Sequence, residues 1–337
     1  MHVYLLGYPG DIGGANTEIW HTVRLWRRYG VAVTAVPMWL DDLAWRARLE
    51  SIGCKILTSK PGALTIPPGS VCVGFCNSQV CHSAARLREC KIVWVPCMNY
   101  LTDQEAEIPP FARYVFQSRY QQGLLQPQLA ARGVPPYHCR LIRGAFQIND
   151  FPYCERLHRP GEPFVVGRLS RGDPKKWPAN LWNTYGQIPN VRARVMGWTD
   201  RIARKCGPAP GWAETLPPCA QTARDFLTSI HCLVTTSDGR DHPAAIENWP
   251  RVGLEAMASG VPIVTENRGG WQEMLDHGRT GFFCDTPDQV VAHATRLAGN
   301  EALRQNVARA AREAVRRLTA PEPIWRRWER LFKELGA

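Results

Sequence analysis

Apolar residues follow two alternating rhythms along the chain. Short, continuous apolar runs alternate with longer stretches whose apolar positions recur every three to four residues. In the first half, residues 2–6, 31–36, 55–58, 71–75, 91–95 and 113–116 read as strands. Residues 15–29, 41–52, 80–89 and 119–132 read as the helices between them. In the first of these helices Ile19, Val23, Leu25 and Trp26 make the apolar face, and Gly30 ends it. Strands interleaved with helices predict a parallel, doubly wound sheet with helices on both faces.

The rhythm breaks at 149–163, a stretch with three prolines and several charges. A domain boundary is expected there, with an N-terminal domain over 1–150 and a second over 164–320. Two domains also suit the length, because 337 residues exceed what one hydrophobic core usually organises. The second domain repeats the pattern, with strands expected at 164–168, 192–196, 232–235 and 261–264. After Ala320-Pro321-Glu322-Pro323 a last helix carries Ile324, Trp325, Trp328, Leu331, Phe332 and Leu335 on one stripe. That stripe predicts that 321–337 packs back across the domains.

Composition narrows the picture only a little. Hydrophobic residues make up 45% and charged residues 21%, as in a folded soluble protein. No apolar run reaches membrane-span length, and Met1-His2-Val3-Tyr4 lacks the basic start of a secretion signal, so a cytoplasmic protein is expected. The 12 cysteines form no C-x-x-C pair. Cys72, Cys76, Cys81 and His82 fit no standard zinc spacing, so the cysteines read as reduced, small apolar residues. The formal net charge of +11 calls for an anionic partner: a phosphorylated substrate, a membrane surface or a nucleic acid.

The chemistry-bearing residues cluster late in the chain. Glu247 and Glu255 are separated by seven residues; Glu247 is expected in a loop closed by Pro250, and Glu255 at the opening of a small-residue helix over 256–259. Ionised carboxylates accept hydrogen bonds from hydroxyl pairs, so two of them beside a crevice suit a polyhydroxylated ligand. Arg168 leaves the first strand of the second domain, and Lys175 and Lys176 follow one loop later. Cations at the carboxyl edge of a parallel sheet can clamp a diphosphate and steady it as it departs. Gly10-Asp11-Ile12-Gly13-Gly14 follows the first strand; it lacks both the dinucleotide spacing and a Walker lysine, but can bring main-chain N–H groups to an anion.

Taken together, Arg168, Lys176 and Glu247-x7-Glu255 resemble the donor site of family-four retaining glycosyltransferases. Gly13-Gly14, Phe116-Gln117-Ser118, Gly269-Gly270-Trp271-Gln272-Glu273 and Gly278-Arg279-Thr280-Gly281 extend the resemblance. It implies a GT-B fold, two Rossmann-like domains facing across a cleft. It implies a UDP- or GDP-linked sugar donor held mainly by the second domain, with no metal and no other cofactor. Arg168 and Lys176 would then meet the diphosphate, with Lys175 as fallback. Glu255 would accept from the ribose, within a donor-binding segment that includes Gly253 and Leu254. Glu247 would touch the transferred sugar, and Gly13-Gly14 would bring an N–H to the distal phosphate.

The acceptor is less legible. The loop after the strand at 91–95 offers Asn99 or Asp103, and the loop before Glu247 offers Asp241 and His242. Arg24, Arg27, Arg28, Arg46, Arg48, Arg86 and Arg88 are interleaved with Trp20, Trp26, Trp39 and Trp45. That mixture suits an anionic membrane carrying a glycolipid, with peripheral attachment, or a nucleic-acid backbone. Three functions therefore stand at this point: transfer to a polysaccharide, glycolipid or small glycoside; transfer to hydroxylated pyrimidines in DNA; and non-catalytic binding of a nucleotide sugar or nucleic acid.

Overall fold

The computed structural model describes residues 1–10, 13–38, 42–57, 66–76, 80–81, 87–238 and 245–337. The chain divides into two compact units, residues 1–146 together with 320–337, and residues 147–319. No helix among the described residues is long and apolar enough to cross a membrane.

In the first unit seven parallel strands form one sheet: β1 His2–Leu6, β2 Ala32–Val36, β3 Lys55–Ile56, β4 Val71–Phe75, β5 Lys91–Val95, β6 Arg113–Phe116 and β7 Cys139–Leu141. Their order is β3-β2-β1-β4-β5-β6-β7. The chain winds outward from β1 to β3, then returns to β4 and winds the other way. The switch point therefore falls between β1 and β4, where Leu5 pairs with Val73. The continuous apolar runs make this sheet, since β4 is buried at all five positions. Strand β7 escaped the sequence reading because Cys-Arg-Leu is short and its register is fixed only by β6. The helix expected over 80–89 is helical at 80–81, while 82–86 lie outside the described residues.

The last helix, Pro321–Leu335, belongs to this unit. All six residues of its apolar stripe are buried. Trp328 meets Trp26 edge-on at 5.1 Å and Phe332 meets it at 5.4 Å, while Trp325 stacks on Tyr29 at 4.9 Å. The Tyr29 hydroxyl donates to Glu322 at 2.8 Å, and Lys91 Nζ donates to the Leu335 carbonyl at 2.9 Å. Each large apolar side chain buried this way contributes about 1.5–3 kcal/mol.

The interleaved arginines and tryptophans of the N-terminal segment are largely engaged with one another. Trp26 and Trp45 are core residues. The Arg48 guanidinium lies 3.8 Å from the Trp45 ring, and Arg24 lies 5.5 Å from the Trp20 ring. Arg27 donates to the carbonyls of Ile52 and Val31 at 3.0 and 2.6 Å. Trp39 and Arg86 lie outside the described residues.

The second unit holds six parallel strands: β8 Phe164–Leu169, β9 Val191–Met196, β10 Ala213–Leu216, β11 Cys232–Thr235, β12 Ile263–Glu266 and β13 Phe282–Cys284. Their order, β10-β9-β8-β11-β12-β13, places the switch point between β8 and β11. Strand β12 starts two residues later than the apolar run suggests. Gly260 ends the preceding helix in the left-handed conformation at φ 82°, and the Val261 N–H bonds back to the Ala256 carbonyl. Val261 is thereby held to the helix end, and Pro262 has no N–H for a ladder. Strands β10 and β13 were also missed: one is a half-buried edge strand and the other has three residues.

At the opposite, amino edge of this sheet sits a buried histidine. His231 Nδ1 accepts from the Val165 N–H at 2.9 Å, and the ring stacks on Phe164 at 5.3 Å. Burial, then Arg156, Arg304 and His158, push its pKa down to about 3. The folded protein keeps this ring neutral, while the unfolded chain protonates it near 6.5. Its stabilisation is therefore present above pH 6.5 and declines as pH falls toward 3. The Tm should drop between pH 7 and pH 4, and His231→Asn should show a shallower drop when both are scanned by calorimetry. Truncation of the last helix's anchor, Trp328→Ala, should cost about 3–5 kcal/mol in denaturant unfolding.

Candidate functional site

The second unit's switch point carries a chain of linked polar groups. Arg168 stands one residue before the end of β8 and is 1% exposed. Its Nη2 donates to the carbonyl of Lys176 and, at 2.8 Å, to that of Thr236, just past β11. The guanidinium lies 4.8 Å from the Trp177 ring, which is itself fully buried. Nε and Nη1 have no partner of good hydrogen-bond geometry among the described residues, although the guanidinium also interacts with the buried Tyr185 hydroxyl. A buried guanidinium with donors to spare is costly unless something anionic or polar completes it.

Lys176 continues the chain. Asp173 caps the short turn Pro174–Lys176, and Lys176 is turned inward while Lys175 is exposed. Lys176 Nζ contacts Glu247 Oε1 at 2.8 Å and the Ala245 carbonyl at 3.2 Å. Arg168, Lys176 and Glu247 are thus brought together, from three separate stretches of sequence. The Lys176 side chain is 10% exposed and that of Glu247 is 36% exposed, so the pair opens to solvent on the carboxylate side.

Two glycines hold Glu247 in place. The Gly270 N–H donates to the Glu247 carbonyl at 2.8 Å. A Cβ on Gly270 would lie 1.7 Å from the Asn248 carbonyl oxygen, and one on Gly269 would lie 2.4 Å from that of Glu247. Gly269 also has φ 63°, where a side chain is strained. Backbone packs directly on backbone here, and only glycine permits it.

Glu255 is placed differently from its expected position. The helix runs over Arg251–Ser259, so Glu255 sits inside it rather than at its opening. The apolar and small residues after Glu255 look like a helix of their own, but Pro250 sets the start one turn earlier. Glu255 is 7% exposed and has no hydrogen-bond partner among the described residues. Burial raises its pKa, and Arg251 partly opposes the rise. Gly253 and Leu254 immediately precede it, with both N–H groups directed at the Pro250 carbonyl, at 3.1 and 3.4 Å. A Cβ on Gly253 would come within 2.6 Å of the Trp271 ring and 2.7 Å of Met274 Sδ. These two residues shape the helix that carries Glu255.

Sequence reasoning missed a neighbouring cluster at the ends of β11 and β12. Glu266 Oε2 accepts from Ser237 N at 3.2 Å, Ser237 Oγ at 3.1 Å and Arg268 Nη2 at 2.8 Å. The signal was available: polar residues that end buried parallel strands point to the ligand edge. Asp241 and His242 lie outside the described residues.

In the first unit, Gly13 takes φ 95° at the start of the helix Gly14–Arg28, next to the switch point after β1. The first-turn amides of such a helix have no intrahelical partner and favour an anion. Asn99 is buried at 4% exposure, whereas Asp103 is exposed in the first turn of a helix capped by Thr102 and Glu105. Glu18 was not anticipated. It is 3% exposed, accepts from Thr22 Oγ1 at 3.2 Å, and packs so closely on Gly144 that a Cβ there would lie 2.2 Å from its carboxylate. A carboxylate on the buried face of an amphipathic helix was the sign of it.

The fold defines the class: these are the two Rossmann-like α/β units of the GT-B fold. Residues 220–314, which include Glu247, Glu255 and Gly269-Gly270, match the family described as glycosyl transferases group 1. The chain is 30% identical over 184 residues to a glycogen synthase of Mycobacterium tuberculosis, across 51% of this chain and 43% of that enzyme. It is 31% identical over 147 residues to a GDP-mannose-dependent phosphatidylinositol monomannoside mannosyltransferase of the same organism, across 39% and 36% of the two chains. The chain spans less than half the length of these relatives. Among solved structures, Anabaena Alr3699/HepE in complex with UDP and glucose is similar at a TM-score of 0.71 and 16% identity, covering 99% of this chain and all of that one.

The glycine contacts give a direct test. Gly270→Ala should displace the Glu247–Asn248 backbone and cost about 1–3 kcal/mol in denaturant unfolding. Gly299→Ala, at the end of a helix with nothing within 4 Å of the added Cβ, should be neutral or stabilising in the same measurement.

Proposed function

We propose that this protein is a retaining glycosyltransferase that moves a sugar from a UDP- or GDP-linked donor to a hydroxyl acceptor. The observation that carries the reading is the Arg168–Lys176–Glu247 chain at the switch point of the second unit, with Arg168 donors still unfilled. The diphosphate fills those donors and takes Lys176 away from Glu247. Glu247 is then free to orient the sugar. Glu255 accepts hydrogen bonds from the ribose hydroxyls, which relieves the cost of its burial. The bond from sugar C1 to the β-phosphate oxygen breaks while the acceptor oxygen bonds to C1 on the same face. The acceptor proton passes to the departing phosphate. Arg168 and Lys176 stabilise the charge that develops there, in a site where water screens little. The group 1 family match, the nucleotide-sugar enzyme among the relatives, and the structural neighbour with UDP and glucose support this reading.

Binding and turnover should separate. UDP or GDP at a hundred times its Kd should stabilise the wild type by about 2.7 kcal/mol, read as a rise in Tm. Glu247→Gln should keep that rise but lower donor turnover by about 10²–10³-fold. Glu255→Gln should weaken nucleotide binding with a smaller effect on turnover. The raised pKa of Glu255 sets a pH dependence. Its carboxylate is fully ionised only above that raised value, so nucleotide affinity should decline as pH falls through it, and Glu255→Gln should flatten the decline in calorimetric titration. If no nucleoside diphosphate shifts the Tm, the reading is wrong.

A further inference from the structure

Away from the switch points, the first unit has a groove of about 470 Å³ between β7 and the last helix. Arg140, Leu141 and Ile142 line it from the strand side, and Pro323, Arg326, Arg327 and Arg330 from the helix side. The helix residues are spaced i, i+3, i+4 and i+7, so they form one stripe beside the apolar one that anchors the helix. The arginine pairs 326–330 and 327–330 put like charges at neighbouring helical positions, which destabilises a helix taken alone. Acids answer only part of this charge. Glu322 pairs with Arg326 at 2.8 Å, and Glu334 pairs with Arg140 at 2.7 Å. Arg330 is exposed and has no hydrogen-bond or ion-pair partner among the described residues.

The geometry points to a binding site for a phosphoester anion: a single phosphate or diphosphate group with a small organic neighbour. Three observations select that class. The volume matches a small-molecule site and is too small for a helix or duplex. The edge of β7 is already blocked where Arg327 Nη1 donates to the Leu141 carbonyl at 2.7 Å, which disfavours an added peptide strand. Four guanidiniums, those of Arg140, Arg326, Arg327 and Arg330, line the same groove as the apolar Leu141, Ile142 and Pro323, a mixture that suits a phosphate joined to a carbon skeleton. The phosphate can belong to a soluble ester or to a lipid headgroup.

The test uses the full chain carrying Lys176→Met, which weakens binding at the second unit; whatever Arg168 still binds there is left unchanged by the groove variants. Inorganic pyrophosphate is titrated calorimetrically, and vesicles of 70% phosphatidylcholine with 30% phosphatidylglycerol are used for co-sedimentation. Saturable pyrophosphate binding alone identifies a soluble ester, and vesicle binding identifies a headgroup. In either arm, Arg326→Gln with Arg330→Gln should weaken binding at least tenfold with the Tm retained. Arg316→Gln with Arg317→Gln, two exposed arginines of the second unit, should have little effect despite removing the same charge. Equal loss in both double variants, or no binding in either arm, overturns the proposal. Nucleotide binding by the wild type is a separate readout, so its failure would not be confused with this one.

Discussion

One buried cation organises the ligand edge of the second unit. Arg168 lies where two halves of the sheet part, between β8 and β11, and its Nη2 bridges carbonyls from both sides of that parting. The first of these carbonyls belongs to Lys176, so the same contact fixes the turn that aims Lys176 Nζ at Glu247. Removing the guanidinium would leave two carbonyls unanswered and release the turn. The charge is tolerated in a nearly dry place because Trp177 offers its ring face and the carbonyl dipoles accept its protons. In the proposed function the remaining donors meet the diphosphate.

Glu247 is fixed from its other side by main chain alone. Gly269 and Gly270 bring the start of the helix Trp271–Met274 against the Glu247 and Asn248 carbonyls, and Gly253 lets the Trp271 ring close on the neighbouring helix. The carboxylate thus sits between a cation and a rigid backbone contact. In the proposed reaction the backbone contact holds Glu247 in place while Lys176 turns from the carboxylate to the diphosphate, so the acid itself needs little reorganisation. Glu255 illustrates the complementary arrangement, a buried acid whose pKa is raised by burial, with Arg251 opposing part of the rise.

The last helix shows how a local pattern can have a long-range outcome. Its two stripes are both readable from spacing. The apolar one closes onto Trp26 and the sheet of the first unit, more than three hundred residues earlier in the chain. The basic one is left lining a groove with β7. The aromatic stacking that anchors the helix therefore also builds the groove, because the two stripes are adjacent on one cylinder.

The sequence by itself determined the strand–helix alternation, the apolar stripe of the last helix and the residue types of the candidate donor site. These follow from periodicity and from chemistry that only a few side chains can supply. It did not determine that Glu255 lies inside a helix, that β12 starts after Pro262, or that β7, β10 and β13 exist. Helix ends depend on capping geometry, and short strands depend on partners distant in the chain. The partners of Glu18, Glu266 and the paired glycines were likewise beyond the sequence, although each residue carried a sign along the chain. Each role is set by what lies against it: a loop at Gly144, a serine at the end of the next strand, a carbonyl 1.7 Å from a Cβ that is not there. Tertiary structure decided these because contact across the fold, not pattern along it, makes a polar group costly or useful.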